Sequence, residues 1–368
     1  MEGDGQAMLY ERWLGGIVGI SSTKKIALEE QVETAKNVYY MKKEDLGKIK
    51  FLTAEERDIL LESQKEDPYK LEEEQKTQGI AFVSFHTEKY PKRLKSIYQP
   101  PYGLYYRGKL PEEDKKAVAL VGARSCSEYG RSVAKKAAYV LADAGVEIIS
   151  GMAAGIDGAA QYGAIQAQGA TYGVLGCGVD ICYPKQHQSL YEKIPEKGGI
   201  ISEYKPGIMP RPSFFPCRNR IISGMADIVL VVEARKKSGS LITADFALEQ
   251  GKEIYAVPGR LGDKLSEGTN RLIQQGAGIF LGTGELLQEM NILIDRKGGF
   301  GKKTGKALEN LERLVYSCVD LTPKSLEELM GSTGLSFGEL TGILNKLRER
   351  GYISEIYKNY FIRTEITV

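Results

Sequence analysis

The sequence predicts an α/β fold: an extended parallel sheet covered by helices, flanked by a small N-terminal helical domain and a C-terminal winged-helix domain. Three observations carry this reading. From about residue 80 to 295, short apolar runs alternate with amphipathic stretches of helical period, which forces a parallel sheet with helices on both faces. Several apolar runs end in Gly- or Ser-rich turns, and 42 glycines in 368 residues suit many tight strand-to-helix connections. After residue 307, capped helical stretches precede a hairpin, the element order of a winged helix.

Residues 9 to about 75 are charged and helix-biased, within a small helical domain expected at 1–79. Gly15-Gly16-Ile17-Val18-Gly19-Ile20-Ser21 reads as a turn leading into a second helix, loosely like a sterile-alpha-motif or helix-hairpin-helix unit. Such a turn either holds a DNA phosphate on its amides or belongs to a small packing domain, and both readings stay open. Within 80–295, strands are expected at 116–121, 146–149, 171–175, 200–202, 228–232, 253–257 and 279–281. Between the first two, Val133, Ala137, Val140, Leu141 and Ala144 recur at helical spacing. Further helices are expected near 156–168, 217–225, 240–250, 268–276 and 284–290, completing a Rossmann-like architecture.

Residues 296–306 read as a basic linker. They fall short of a Walker A loop, because Ala307 stands where Ser or Thr is required. Within 307–368, Leu308, Leu311, Leu314 and Val315 mark one helix, Ser325 caps a second, and Ser336 caps a third running to about Arg350. Residues 352–354 and 360–363 form the hairpin. The third helix carries Lys346, Arg348 and Arg350 diluted by Glu339 and Glu349, so groove binding and protein binding both remain open.

A length of 368 residues allows two or three domains. The net charge is only +2, so any nucleic-acid contact must be a focused patch rather than a global field. No signal stretch or bilayer-length apolar run occurs, which predicts a cytoplasmic protein without a membrane partner. Five cysteines form no CxxC pair, so reduced thiols are expected and no metal or cofactor.

The chemistry concentrates at strand ends. Phe214-Phe215-Pro216-Cys217-Arg218-Asn219-Arg220 precedes an apolar strand that leads to Arg235-Lys236-Lys237-Ser238-Gly239-Ser240 at a helix start. Guanidinium forks suit phosphates, aromatic faces suit unstacked bases, and helix N-termini present N–H groups to anions. Gly122-Ala123-Arg124, Ser150-Gly151-Met152-Ala153-Ala154-Gly155-Ile156-Asp157 and Gly176-Cys177-Gly178 occupy neighbouring strand ends, where open parallel sheets bind ligands. Together they point to a polyphosphate ligand with bases, a single nucleic-acid strand. Arg124 is read as a phosphate clamp rather than a partner of Glu128, and Asp157 as a capping or orienting carboxylate. Two histidines, with no GxSxG or HExxH motif, leave little for catalysis.

These ordered motifs resemble the bacterial DNA-processing protein A family (DprA/Smf). The residues are Tyr90-Pro91, Val121-Gly122-Ala123-Arg124, the Ser150–Asp157 loop, Leu175-Gly176-Cys177-Gly178, Tyr183-Pro184, Ser202-Glu203-Tyr204, the Phe215–Arg220 run, Ser238–Ala244 and Ala256-Val257-Pro258-Gly259. The resemblance implies a non-enzymatic protein that binds single-stranded DNA, protects it and loads the recombinase RecA onto it in natural transformation. A homodimer is implied, with single-strand-binding protein a further partner. By motif, Arg124, Ser150, Gly151, Gly155, Lys185, Phe215, Arg218, Asn219, Arg220, Lys237 and Ser240 would line the DNA pocket. Gln161 stands where the family usually has histidine. The competing reading is a nucleotide phosphoribohydrolase of the same fold class, but the Lys237–Ser240 turn lacks the required glutamate.

Overall fold

The computed structural model describes residues 2–292, 310–320 and 322–363, which excludes the expected linker at 296–306 and Leu308. By their contacts, residues 1–290 form one compact unit and residues 291–368 a second.

The first unit is built on nine strands: β1 (Ala81–Ser84), β2 (Gly103–Gly108), β3 (Ala117–Val121), β4 (Glu147–Ser150), β5 (Thr171–Val174), β6 (Gly199–Ser202), β7 (Ile228–Val231), β8 (Glu253–Ala256) and β9 (Gly278–Ile279). Their order across the sheet is β1-β2-β6-β5-β4-β3-β7-β8-β9. From β6 to β9 all neighbours are parallel. The central strands β3 and β7 are buried along their whole length, as continuous apolar runs must be when helices cover both faces.

The sheet departs from the expected all-parallel form at one edge. β2 runs antiparallel to β6, with Tyr105 opposite Ser202, and β1 runs antiparallel to β2. β1 is as short as β4 to β8, but between it and β2 lies only the four-residue helix Lys92–Lys95, so the strand–helix alternation that marks the parallel strands is missing there. What places it is pairing with an edge already formed.

Six helices precede the sheet: Glu2–Gly16, Ser22–Val32, Ala35–Tyr40, Lys43–Lys48, Ala54–Ser63 and Pro68–Thr77. Trp13, Leu14, Leu28, Leu46 and Leu60 fill their core, and the Trp13 indole donates to the Ser63 carbonyl at 2.8 Å. Burying such large side chains contributes about 1.5–3 kcal/mol each. Two tyrosines tie the helices to the sheet: the Tyr105 hydroxyl donates to the Arg12 carbonyl at 2.8 Å and the Tyr102 hydroxyl to Glu29 at 2.5 Å.

The second unit holds helices Asn310–Cys318, Leu326–Thr333 and Phe337–Glu349 and a three-stranded antiparallel sheet, β10 (Lys324–Ser325), β11 (Ile353–Tyr357) and β12 (Tyr360–Arg363). This arrangement is compatible with a winged helix. Val315 is buried but Leu311 and Leu314 are 51% and 40% exposed, contrary to the apolar stripe expected there. The helix turns Val315 and Glu312 inward instead, with Glu312 paired to Arg350 at 2.7 Å.

Candidate nucleic-acid interface

Winding of the sheet reverses between β3 and β7. In an open parallel sheet this switch point leaves a crevice beyond the carboxyl ends of the two strands. Here it holds a cavity of about 630 Å³, walled by residues 121–125 after β3 and by residues 235–243 after β7. The helix Phe214–Met225 supplies the third wall through Phe215, Arg218 and Asn219.

Arg218 is the centre of the site. Its Nη1 donates to the Gly151 carbonyl at 2.7 Å and to the Val174 carbonyl, and its Nε donates to Asn219 Oδ1 at 3.2 Å. The side chain is 4% exposed, yet Nη2 has no protein partner among the described residues. Burial brings the guanidinium pKa down to about 10, so it remains a cation at neutral pH. Asn219 is held in turn by donating to the Gly239 carbonyl at 3.2 Å.

The Ser150–Asp157 loop is braced around that arginine. A side chain at Gly151 would collide with the guanidinium, its Cβ lying 2.7 Å from the central carbon. Gly155 has φ +80° and packs so close to the Ala123 and Arg124 carbonyls that only glycine fits. Asp157 accepts from the Gly151 amide at 3.1 Å. Burial pushes its carboxyl pKa up, while Arg218 and the loop amides pull it back. Asp157 therefore orients the loop.

Aromatic and basic groups complete the opening. The Phe215 ring stacks on Tyr183 at 5.5 Å and 27°, with the Arg124 guanidinium 5.2 Å from its centroid. Glu128 pairs with Arg131 at 3.2 Å, so Arg124 is free of it. Arg235 and Lys237 line the cavity without an ion-pair partner among the described residues. Ser238 caps the helix Gly239–Glu249 by accepting from the Ser240 amide at 3.4 Å.

Of the residues marked out in sequence, the cavity wall gathers Arg124, Phe215, Arg218, Asn219, Lys237 and Ser240. It does not include Ser150, Gly151, Gly155, Lys185 or Arg220. The Ser150 hydroxyl is buried and donates to the Leu120 carbonyl at 2.6 Å. Gly151 and Gly155 shape the loop behind the wall. Lys185 is exposed at the start of a short helical turn. Arg220 points elsewhere: it grips Glu203 through two bonds of 2.8 and 2.6 Å, donates to the Gln99 and Cys217 carbonyls, and lines a second cavity of about 360 Å³. Helical geometry explains the split, since residues two apart face different directions. Glu233 is likewise engaged, accepting from the Ser127 amide at 2.9 Å and from the Ser127 hydroxyl. Gln161 is fully buried against the Tyr172 carbonyl at 3.2 Å, outside the cavity wall.

Sequence reasoning passed over Tyr183 and Pro212, which the cavity also includes. The Tyr183-Pro184 pair was a visible signal, but its stacking on a ring 32 positions later was not. Among the described residues, no cluster of metal-ligating side chains occurs and no helix is long and apolar enough to cross a membrane.

The family described as DNA recombination-mediator protein A matches residues 81–291, more than half of the chain. Protein Smf of Synechocystis is 32% identical over 78% of this chain and 81% of its own length. DNA processing protein DprA of Bacillus subtilis is 39% identical over 58% of this chain and 72% of its own. The X-ray structure of DprA from Streptococcus pneumoniae superposes with a TM-score of 0.67 at 34% identity, covering 76% of this chain and 97% of that one. A structure concerned with the single-stranded DNA binding mode of DNA processing protein A from Helicobacter pylori gives a TM-score of 0.53 at 30% identity, covering 58% and 95%. With the switch-point cavity and its loops inside the matched region, the chain belongs to the DNA recombination-mediator protein A family.

Proposed function

We propose that this chain binds single-stranded DNA in the switch-point cavity and delivers it, chemically unchanged, to the recombinase RecA. The observation that carries the reading is Arg218: a buried cation with one unpartnered nitrogen in a cavity rimmed by Arg124, Arg235 and Lys237. A phosphate would complete that guanidinium's hydrogen bonding. Phe215 and Tyr183 offer faces to bases of any sequence. The Helicobacter pylori relative, named for its single-stranded DNA binding mode, supports the same ligand here.

The reading expects no chemistry on the bound DNA: among the described residues no cluster of metal-ligating side chains occurs, and Ser238 and Ser240 in the wall of the cavity bond each other. Asp157, the one carboxylate in its wall, is committed to the Gly151 amide. The phosphoribohydrolase alternative therefore predicts nucleotide cleavage that this chain should not show. The working form is a homodimer joined through the Rossmann-like sheet, whose β9 edge carries exposed Ile279 and Leu281. Light scattering that returns a monomer mass at micromolar concentration would remove the dimer.

Titration of a fluorescent oligothymidylate at several salt concentrations tests binding. Preference over duplex is expected, with a log–log salt slope of about −0.7 per neutralised phosphate. Equal affinity for duplex or a flat salt response overturns the site. Delivery is tested on DNA coated with single-strand-binding protein: the lag in RecA's DNA-dependent ATPase should shorten. An unchanged lag with proven binding leaves a DNA-binding protein that is not a loader.

A further inference from the structure

Phe214 and Phe215 are consecutive, yet they serve different cavities. Phe215 lines the switch-point cavity and Phe214 the second cavity, while Pro216 belongs to both walls. The same three-part unit stands on each side. Phe215 stacks on Tyr183 beneath Arg124, and Phe214 stacks on Tyr204 at 4.2 Å and 22° with Arg211 5.6 Å from its centroid. Like Arg124, Arg211 is exposed and has no ion-pair partner among the described residues.

The far wall of the second cavity is the Gly16–Ser22 turn of the N-terminal helices. The amides of Val18, Gly19 and Ile20 donate to no acceptor among the described residues. In the same wall the buried Lys25 Nζ donates to the Gly15 and Ile17 carbonyls at 2.8 and 2.6 Å and so braces the turn. Consecutive unmade N–H groups form a concave site for an anion. A stacked aromatic pair under a free arginine is a site for a base. The two together fit one nucleotide.

Resting on the reading above, we propose that a single strand leaving the switch-point cavity crosses Pro216 and enters this second cavity, where a base lies against Phe214 and Tyr204 and a phosphate sits on the Val18–Ile20 amides. The N-terminal helices thereby lengthen the DNA site instead of serving as packing alone. Arg211 stands over the Phe214 ring beside this path, and the one carboxylate in the cavity wall, Glu203, is held by Arg220.

The test uses the full chain and a graded series of fluorescent oligothymidylates, from the trinucleotide upward. Affinity should rise about tenfold or more at the length that reaches both cavities, the worth of roughly one stacked base. Val18→Glu sets a carboxylate beside the unmade amides, and Phe214→Ala removes the ring. Each should cancel most of that gain and leave the shortest bound oligonucleotide within about twofold of its original affinity; Val18→Glu should also make the salt slope shallower by about 0.7. Unchanged length dependence and slope in Val18→Glu, with its melting temperature retained, overturns the second site while the first stands. If the unmodified chain binds no oligothymidylate, both fall; if short oligonucleotides bind but Arg218→Ala does not weaken them, the first site falls.

Discussion

At the switch point, basic side chains face a cavity whose one carboxylate, Asp157, is turned to the Gly151 amide and forms no direct ion pair among the described residues; at the C-terminal end of the third helix of the C-terminal unit, Arg348 and Arg350 are already paired. Arg348 bonds Glu355 at 2.6 Å and Arg350 bonds Glu312 at 2.7 Å. Arg218, Arg124, Arg235 and Lys237 have no such counter-ion among the described residues. An arginine that must first release a carboxylate gains little from a phosphate, because one ion pair is exchanged for another. An arginine held in place by neutral carbonyls keeps its full charge for a ligand. Residue type is the same in both regions; the partners decide which region attracts DNA. The same contrast separates Arg218 from Arg220, two residues apart on one helix.

The sharpest way to break this comparison is Arg220→Ala. Removing it strands Glu203, whose side chain is 12% exposed, and should cost about 3–5 kcal/mol of stability by denaturant unfolding. The folded fraction should keep its affinity for the shortest oligothymidylate that binds, which occupies the switch-point cavity alone, and Arg220→Met with Glu203→Leu should recover most of the stability loss. A DNA defect in folded Arg220→Ala as large as that of Arg218→Ala would erase the distinction.

Next in size is Arg218→Ala itself. Losing one charged hydrogen-bonding group is worth about 1.5–3 kcal/mol, so oligothymidylate affinity should fall roughly ten- to a hundredfold. A parallel melting curve separates this from lost bracing of the Gly151 loop.

Lys25 tests what burial alone does to a cation. Burial lowers its pKa to about 7 in the folded chain, whereas the unfolded lysine keeps its proton to about 10.5. Between these values the unfolded state binds more protons, so this group makes stability rise with pH, by at most about 1.4 kcal/mol per pH unit. Below pH 7 both states are protonated and the contribution is flat. Urea unfolding across pH 7 to 9 should show a shallower rise for Lys25→Met; an identical slope would mean that the ammonium stays charged.

The smallest effect is expected on the C-terminal helix. Arg348→Ala with Arg350→Ala should change single-strand affinity less than about twofold, since both charges are already countered. A loss exceeding that of Arg218→Ala would move the DNA site to this unit.

Local pattern alone determined the strands of the parallel sheet, the glycine-rich loops at their ends and the helix caps. Each depends on residues within one short window: continuous apolar runs, a Ser before an amphipathic stretch, a Gly where a side chain cannot fit. Hence Ser325 and Ser336 cap helices where the sequence places them. Tertiary structure decided the rest. Sheet order put the loops after β3 and β7 side by side, and only that adjacency makes a cavity of Arg124 and Lys237. The antiparallel β1–β2 edge formed because β6 offered a free ladder, a fact written in no four-residue window. The fate of each arginine was set by what lay across from it: carbonyls of Gly151 and Val174 for one, the carboxylate of Glu203 for the other. Charge is a property of the residue, but whether it is spent is a property of its neighbours, and those are brought together only by the fold.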